Sequence, residues 1–206
     1  MLILDLDNTI FQTNSINPAH FQPAIKIIEQ YFVTEYGAEK SALIKNDLWH
    51  LSFDVIVQKY KIPEEVQAEF YCVFDSLEYD MNIQPYADYP ALQAIDKKKI
   101  LVTTGFQKLQ KAKITALDIR KDFEQIYIDD PRDLNRIYKQ GIFEQILQQE
   151  KISPNEVWVI GDNPESELIA GKALGMRTIH RVKSENIKSD YADYSITSFQ
   201  ELEEIL

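Results

Sequence analysis

The chain has 206 residues, 45% hydrophobic and 27% charged, an ordinary balance for a globular protein of one domain or of a core with an insertion. Its 33 acids against 22 bases leave a formal charge of −11, which argues against nucleic acid or an anionic membrane surface as a partner. The single cysteine, Cys72, excludes an internal disulfide and suits a reducing, cytoplasmic setting, and no apolar run approaches the about 20 residues of a membrane span.

In chain order, residues 2–6 read as a buried strand. With a strand starting at residue 2, no cleavable leader is expected ahead of it. The strand runs into Asp5-Leu6-Asp7-Asn8-Thr9. On an extended backbone side chains alternate, so Asp5 and Asp7 would share one face. Residues 15–85 have another texture. Segments 21–36, 40–50, 53–60 and 63–76 show helical spacing of apolar and aromatic residues, with Gly37 as a terminator between the first two. Phe21, Tyr31, Phe32, Trp49, Phe53, Tyr60, Phe70, Tyr71 and Phe74 are expected to fill the core of this helical block.

From residue 86 strands and helices alternate. Helices are predicted at 89–97, 106–117, 141–150, 165–174 and 199–206, and strands at 100–103, 125–129, 157–160, 177–182 and 194–196. Gly175 suits the position just past a helix end. Short apolar strands separated by helices indicate a parallel sheet covered on both faces. The expected architecture is α/β: a Rossmann-like three-layer α/β/α core from residues 1–14 and 86–206, with a small all-helical domain at 15–85. Candidate hinges are 12–17 and 82–88.

Three apolar runs stop at functional groups: the first at Asp5 and Asp7, the second at Thr103-Thr104-Gly105, the third at Gly161-Asp162. In an open parallel sheet, ligands bind outside the carboxyl ends of the strands, so one pocket could hold all three. Carboxylates gathered there without histidine or cysteine form a hard oxygen site suited to Mg²⁺. Beside such an ion one carboxylate can act as a nucleophile toward phosphorus while a second moves protons. A threonine hydroxyl and a lysine could hold the phosphoryl oxygens. His20, His50 and His180 fit no metal spacing and read as surface or local hydrogen-bonding residues.

These motifs resemble the haloacid dehalogenase superfamily, whose members are mostly Mg²⁺-dependent phosphatases. Its Asp-x-Asp-x-Thr motif stands here as Asp5 to Thr9. Its hydroxyl-terminated strand is Leu101-Val102-Thr103-Thr104-Gly105, and its Gly-Asp-x-x-x-x-acid motif is Gly161-Asp162 with Glu167. Residues 170–176 continue in the family's manner. The resemblance implies Asp5 as the nucleophile that becomes an aspartyl-phosphate and Asp7 as general acid and base. It implies Mg²⁺ held by the Asp5 carboxylate, the Asp7 backbone carbonyl and Asp162, with Glu167 in support. Thr103, with Thr104 as the alternative, would bind phosphate. Glu167 departs from the commoner aspartate, and Glu165 is its nearby alternative.

The family's lysine motif often reads Lys-Pro. Here Tyr138-Lys139-Gln140-Gly141 has no proline, so Lys139 is chosen by its place before the helix of Phe143, with Arg136 and Lys151 behind it. The helical block matches in position the cap of one subgroup, which closes over the site and selects substrate. The implied substrate is a small phosphorylated metabolite, such as a sugar phosphate, a nucleotide or a phosphoglycolate-like acid. A phosphomutase would keep the same motifs. A dehalogenase usually lacks the second aspartate, and a non-catalytic binding module would be expected to have lost Asp5 or Asp162.

Overall fold

The computed structural model describes residues 1–184 and 189–206, apart from the side chains of 42–46 and 48–50. It divides into two compact units, Met1–Ser15 with Asn82–Leu206, and Ile16–Met81.

The second unit is helical, with α1 (Gln22–His50), α2 (Phe53–Tyr60) and α3 (Glu64–Ser76). Gly37 lies inside α1 at φ 78°, ψ 163°, breaking its path where the sequence predicts a terminator; a side chain there would be strained. Glu64 and Glu65 occupy the first turn of α3, where the helix dipole favours acids. Phe53 stacks on Phe70 with ring centroids 4.1 Å apart, Phe70 stacks on Phe74, and Phe32 meets the edge of Tyr60 at 5.2 Å. These rings form the interior expected of them, while the side chains of Trp49 and His50 lie outside the described residues. Asp47 accepts hydrogen bonds from Lys59 Nζ and Tyr60 OH, both at 2.6 Å, tying α1 to α2.

The first unit is a six-stranded parallel sheet: β1 (Leu2–Leu4), β2 (Lys99–Thr104), β3 (Gln125–Asp129), β4 (Trp158–Gly161), β5 (Arg177–Arg181) and β6 (Tyr194–Ile196). Its order is β3-β2-β1-β4-β5-β6. Its helices are α4 (Tyr89–Ala94), α5 (Gln107–Ala116), α6 (Tyr138–Glu150), α7 (Ile169–Ala173) and α8 (Leu202–Ile205). Ile3, Ile100, Val102, Val157 and Val159 pack with Ile142, Phe143 and Ile146 of α6 and Ala170 of α7. Strand residues of the other parity, Leu2, Leu4, Leu101 and Ile160, are also fully buried. Both faces are therefore covered, as a parallel sheet with wholly apolar strands requires.

Leu4 is in register with Leu101 of β2 and Ile160 of β4, which aligns the carboxyl ends of the three central strands. The chain leaves β1 toward β2 and β3 on one side and returns to β4 on the other. The strand order thus reverses between β1 and β4, where such sheets open a crevice.

Several boundaries differ from expectation. β1 stops at Leu4, because Asn8 adopts a left-handed conformation (φ 56°) and the Ile10 amide turns back to the Leu6 carbonyl. α6 begins at Tyr138, so Lys139 stands in its first turn rather than before it. Gly141 is inside this helix, where a Cβ would come within 2.7 Å of the Ile137 side chain. The 165–174 helix is divided into a π-helical turn (Pro164–Leu168) and α7.

Phe143 is fully buried where α6 meets the sheet. Phe143→Ala should cost about 3–5 kcal/mol of unfolding free energy, read from urea denaturation. A loss below about 1 kcal/mol would show that this layer is not a close-packed core.

Candidate active site

The loop after β1 sets the first two acids. The Asp5 amide still donates to the Ile160 carbonyl at 3.0 Å, so Asp5 continues the sheet for one residue. The left-handed Asn8 then reverses the chain, its Oδ1 accepting from the Thr13 amide at 3.2 Å. Tyr86 OH donates to the Asn8 carbonyl at 3.4 Å. Thr9 is fully buried under this turn, its hydroxyl 3.4 Å from Asp5 Oδ2. Asp5 and Asp7 consequently serve different neighbours, although the period-two reading puts them on one face.

Asp5 is buried against Lys139, whose Nζ donates to Asp5 Oδ1 at 2.7 Å and to Glu167 Oε2 at 2.7 Å. The chain enters α6 through Tyr138 in the left-handed region (φ 56°), and the next side chain, Lys139, points inward. The other two basic candidates are placed elsewhere. Arg136 forms a two-point pair with Asp129 at 2.6 and 2.8 Å, and Lys151 is the exposed, left-handed residue that ends α6.

Glu167 is 2% exposed, whereas Glu165 faces solvent. The π-helical turn carries Glu167 back over Gly161, where a Cβ would lie 2.1 Å from its Oε1. Only glycine fits there. Glu167 Oε1 also accepts the Asn163 amide at 2.8 Å. Asp5, Asp162 and Glu167 each offer a carboxylate oxygen, and these oxygens all lie within 4.8 Å of one another. Three hard oxygen donors with no imidazole or thiolate among them fit a Mg²⁺-type ion. His180 is buried rather than at the surface, and its Nε2 lies 3.0 Å from the Asp162 backbone carbonyl, a local hydrogen bond.

This clustering shows in the electrostatics. Burial pushes the Asp5 carboxyl up to about 8; Lys139 opposes the shift, and Glu167, Asp162 and Asp7 add to it. Burial, then the charge of Glu167, raises Asp162 to about 7. Burial disfavours the Lys139 ammonium, yet Asp5 and Glu167 outweigh it and hold it above the usual lysine range. A cation beside these carboxylates would remove the repulsion that protonation otherwise relieves.

The Asp7 carboxylate turns to α5. Lys113 Nζ donates to its Oδ1 at 2.7 Å and Gln110 Nε2 to its Oδ2 at 2.9 Å, with the Thr13 hydroxyl at 3.5 Å. The same Gln110 amide donates to the Thr103 hydroxyl at 2.6 Å. Thr103 is fully buried, while Thr104, next along the strand and so on the opposite face, donates to Asp129 at 2.9 Å. Gln110 and Lys113 are residues that reading the motifs misses. A signal for them is present: with Phe106, Ile114 and Leu117 they occupy the buried stripe of a helix at i, i+4, i+7, i+8 and i+11. Polar side chains on such a stripe need buried partners.

A family model described as haloacid dehalogenase-like hydrolase matches residues 1–175. A glyceraldehyde 3-phosphate phosphatase of Pyrococcus furiosus is 29% identical over 111 residues, 52% of this chain and 46% of that protein. The chain thus matches about half the length of this curated relative. Among solved structures, one described as a predicted phosphoglycolate phosphatase from Haemophilus somnus 129pt superposes with a TM-score of 0.66 at 16% identity, over 100% of this chain and 96% of that one. The HAD-hydrolase YfnB of Bacillus subtilis, described as bound to magnesium, gives 0.63 at 16% identity over 100% and 97%. At such identities these two structures share the fold. No helix among the described residues is long and apolar enough to cross a membrane.

Because Asp5 and Asp162 titrate higher in the folded chain than the ordinary carboxylate value, the folded state holds protons that the unfolded chain has already released. Their contribution to stability is therefore greatest at acid pH and is lost as pH rises through about 4 to 8. In chelator, the melting temperature of Asp5→Asn should fall less than that of wild type between about pH 5 and about pH 8, and should exceed it at the upper end. Parallel melting curves for the two proteins would contradict the raised titration of Asp5.

Proposed function

The chain belongs to the haloacid dehalogenase-like hydrolases, and we propose that it is a Mg²⁺-dependent phosphatase of a small phosphorylated metabolite, working through an aspartyl-phosphate on Asp5. The observation that carries this reading is a buried carboxylate, Asp5, held 2.7 Å from Lys139 within an acidic cluster at the carboxyl ends of β1 and β4. The Asp5 and Asp162 carboxylates and the Asp7 backbone carbonyl would hold Mg²⁺, with Glu167 in support. When bound, the ion neutralises charge on the phosphoryl group during transfer.

Asp5 attacks phosphorus, the bond from phosphorus to the ester oxygen breaks, and Asp7 gives its proton to the departing oxygen. Asp7 then takes a proton from water, whose oxygen attacks phosphorus and frees Asp5 and inorganic phosphate. Lys139 and Thr103 hold the phosphoryl oxygens. The Thr104 hydroxyl is committed to Asp129, so Thr103 is preferred to it. The relatives' names, glyceraldehyde 3-phosphate phosphatase and phosphoglycolate phosphatase, favour a short phosphorylated sugar or acid as substrate. The helical unit is read as the substrate-selecting cap. A free, exposed Cys72 suits the cytoplasm.

The test is inorganic phosphate release from a panel of phosphorylated metabolites, with Mg²⁺ or with chelator. Release should require the metal and fall by about a thousandfold or more in Asp5→Asn. Asp162→Asn should raise the Mg²⁺ concentration for half-maximal activity by about ten- to a hundredfold. Turnover within a few-fold of wild type in Asp5→Asn would overturn the nucleophile assignment.

A further inference from the structure

Lys113 and Gln110 lie one turn apart on α5, and each places a donor on the Asp7 carboxylate, at 2.7 and 2.9 Å. Lys113 is 5% exposed and Gln110 is fully buried. The pair is buried at Lys113 and half-buried at Asp7, whose side chain is 26% exposed. Taking the Lys113 ammonium out of water costs free energy that pairing with a part-exposed carboxylate recovers only in part, so the pair is a poor device for stability alone. The surroundings are also shaped to admit the amide. Gly105 takes φ 150°, and a Cβ there would lie 2.9 Å from the Gln110 side chain. The amide also reaches the Thr103 hydroxyl at 2.6 Å, so one side chain links the second acid to the hydroxyl at the end of β2.

We infer that Lys113 and Gln110 are positioning residues, which fix the Asp7 carboxylate so that it meets the water that hydrolyses the aspartyl-phosphate. This rests on the phosphatase reading above. In that step the water oxygen bonds to phosphorus, the bond from phosphorus to the Asp5 oxygen breaks, and the water proton passes to Asp7. A carboxylate free to rotate would seldom lie where the proton departs, and a displacement of about 1 Å can cost about a hundredfold in rate. Lys113 and Gln110 grip one oxygen each, which fixes both the place and the plane of the group. Neither is assigned contact with substrate.

An aryl phosphate isolates the step, because p-nitrophenolate departs without a proton and formation of the aspartyl-phosphate no longer needs Asp7. With Mg²⁺ present, Lys113→Met should release about one phenolate per active site in a rapid burst, then turn over about ten- to a hundredfold more slowly than wild type. Gln110→Met should show the same pattern, and it carries the test alone if Lys113→Met does not fold. Asp7→Asn should also give the burst, and adding Lys113→Met to it should slow turnover no further, since the two act as one unit. Steady-state turnover equal to wild type would overturn the proposal. So would burst and turnover falling in the same proportion, which is what a smaller folded fraction produces. If wild type releases no phenolate, or Asp5→Asn releases it as fast, the phosphatase reading itself fails and this assignment goes with it.

Discussion

One ammonium group, that of Lys139, lies 2.7 Å from two carboxylates that would otherwise repel each other in the dark of the fold, Asp5 and Glu167. All three side chains are nearly solvent-free, where an uncompensated charge is costly. The rest of the architecture around the site can be understood as what it takes to assemble them. β1 and β4 lie side by side and end in register, which brings Asp5 and Asp162 together. Gly161 leaves room for Glu167 to fold back, and the π-helical turn directs it there. α6 supplies the lysine from its first turn.

On the other side of β1 a second buried lysine, Lys113, faces the half-buried Asp7. Asp5, Asp7, Asp162 and Glu167 thus meet two buried lysines. Two negative charges are left over, the charge that one divalent cation would balance. The raised titration of Asp5 and Asp162 expresses that imbalance. A site with this deficit is suited to recruit a cation and then an anionic ester, because each neutralises what the other lacks. The chain's acidic surface need not obstruct this, since solvent-exposed charges are screened beyond about 10 Å at ordinary salt.

The order of strands and helices was legible because hydrophobic period is a local property. The runs ending at Asp5, Thr103 and Asp162 are uninterrupted and apolar, as strands buried on both faces must be. Boundaries were less legible where short-range turns intervene. The left-handed Asn8 ended β1 early, and the near-approach of Gly141 to Ile137 let α6 start before the glycine that resembles a beginning. Gly37, by contrast, carried its meaning alone, because a positive φ is a demand on one residue.

The sequence by itself determined the family, the parallel α/β core, the helical block and the acids at the strand ends, all of which follow from periodicity and short motifs. Only the tertiary structure decided among residues that local pattern treats alike. It chose Lys139 over Arg136 and Lys151 as the partner of Asp5, turned Glu167 inward and left Glu165 in solvent. It sent the Thr104 hydroxyl to Asp129 and brought Gln110 and Lys113 to Asp7 across more than a hundred residues. Periodicity says which face of its own element a side chain occupies. What stands opposite that face depends on how distant elements pack, and at this site the balance of buried charge rests on that packing.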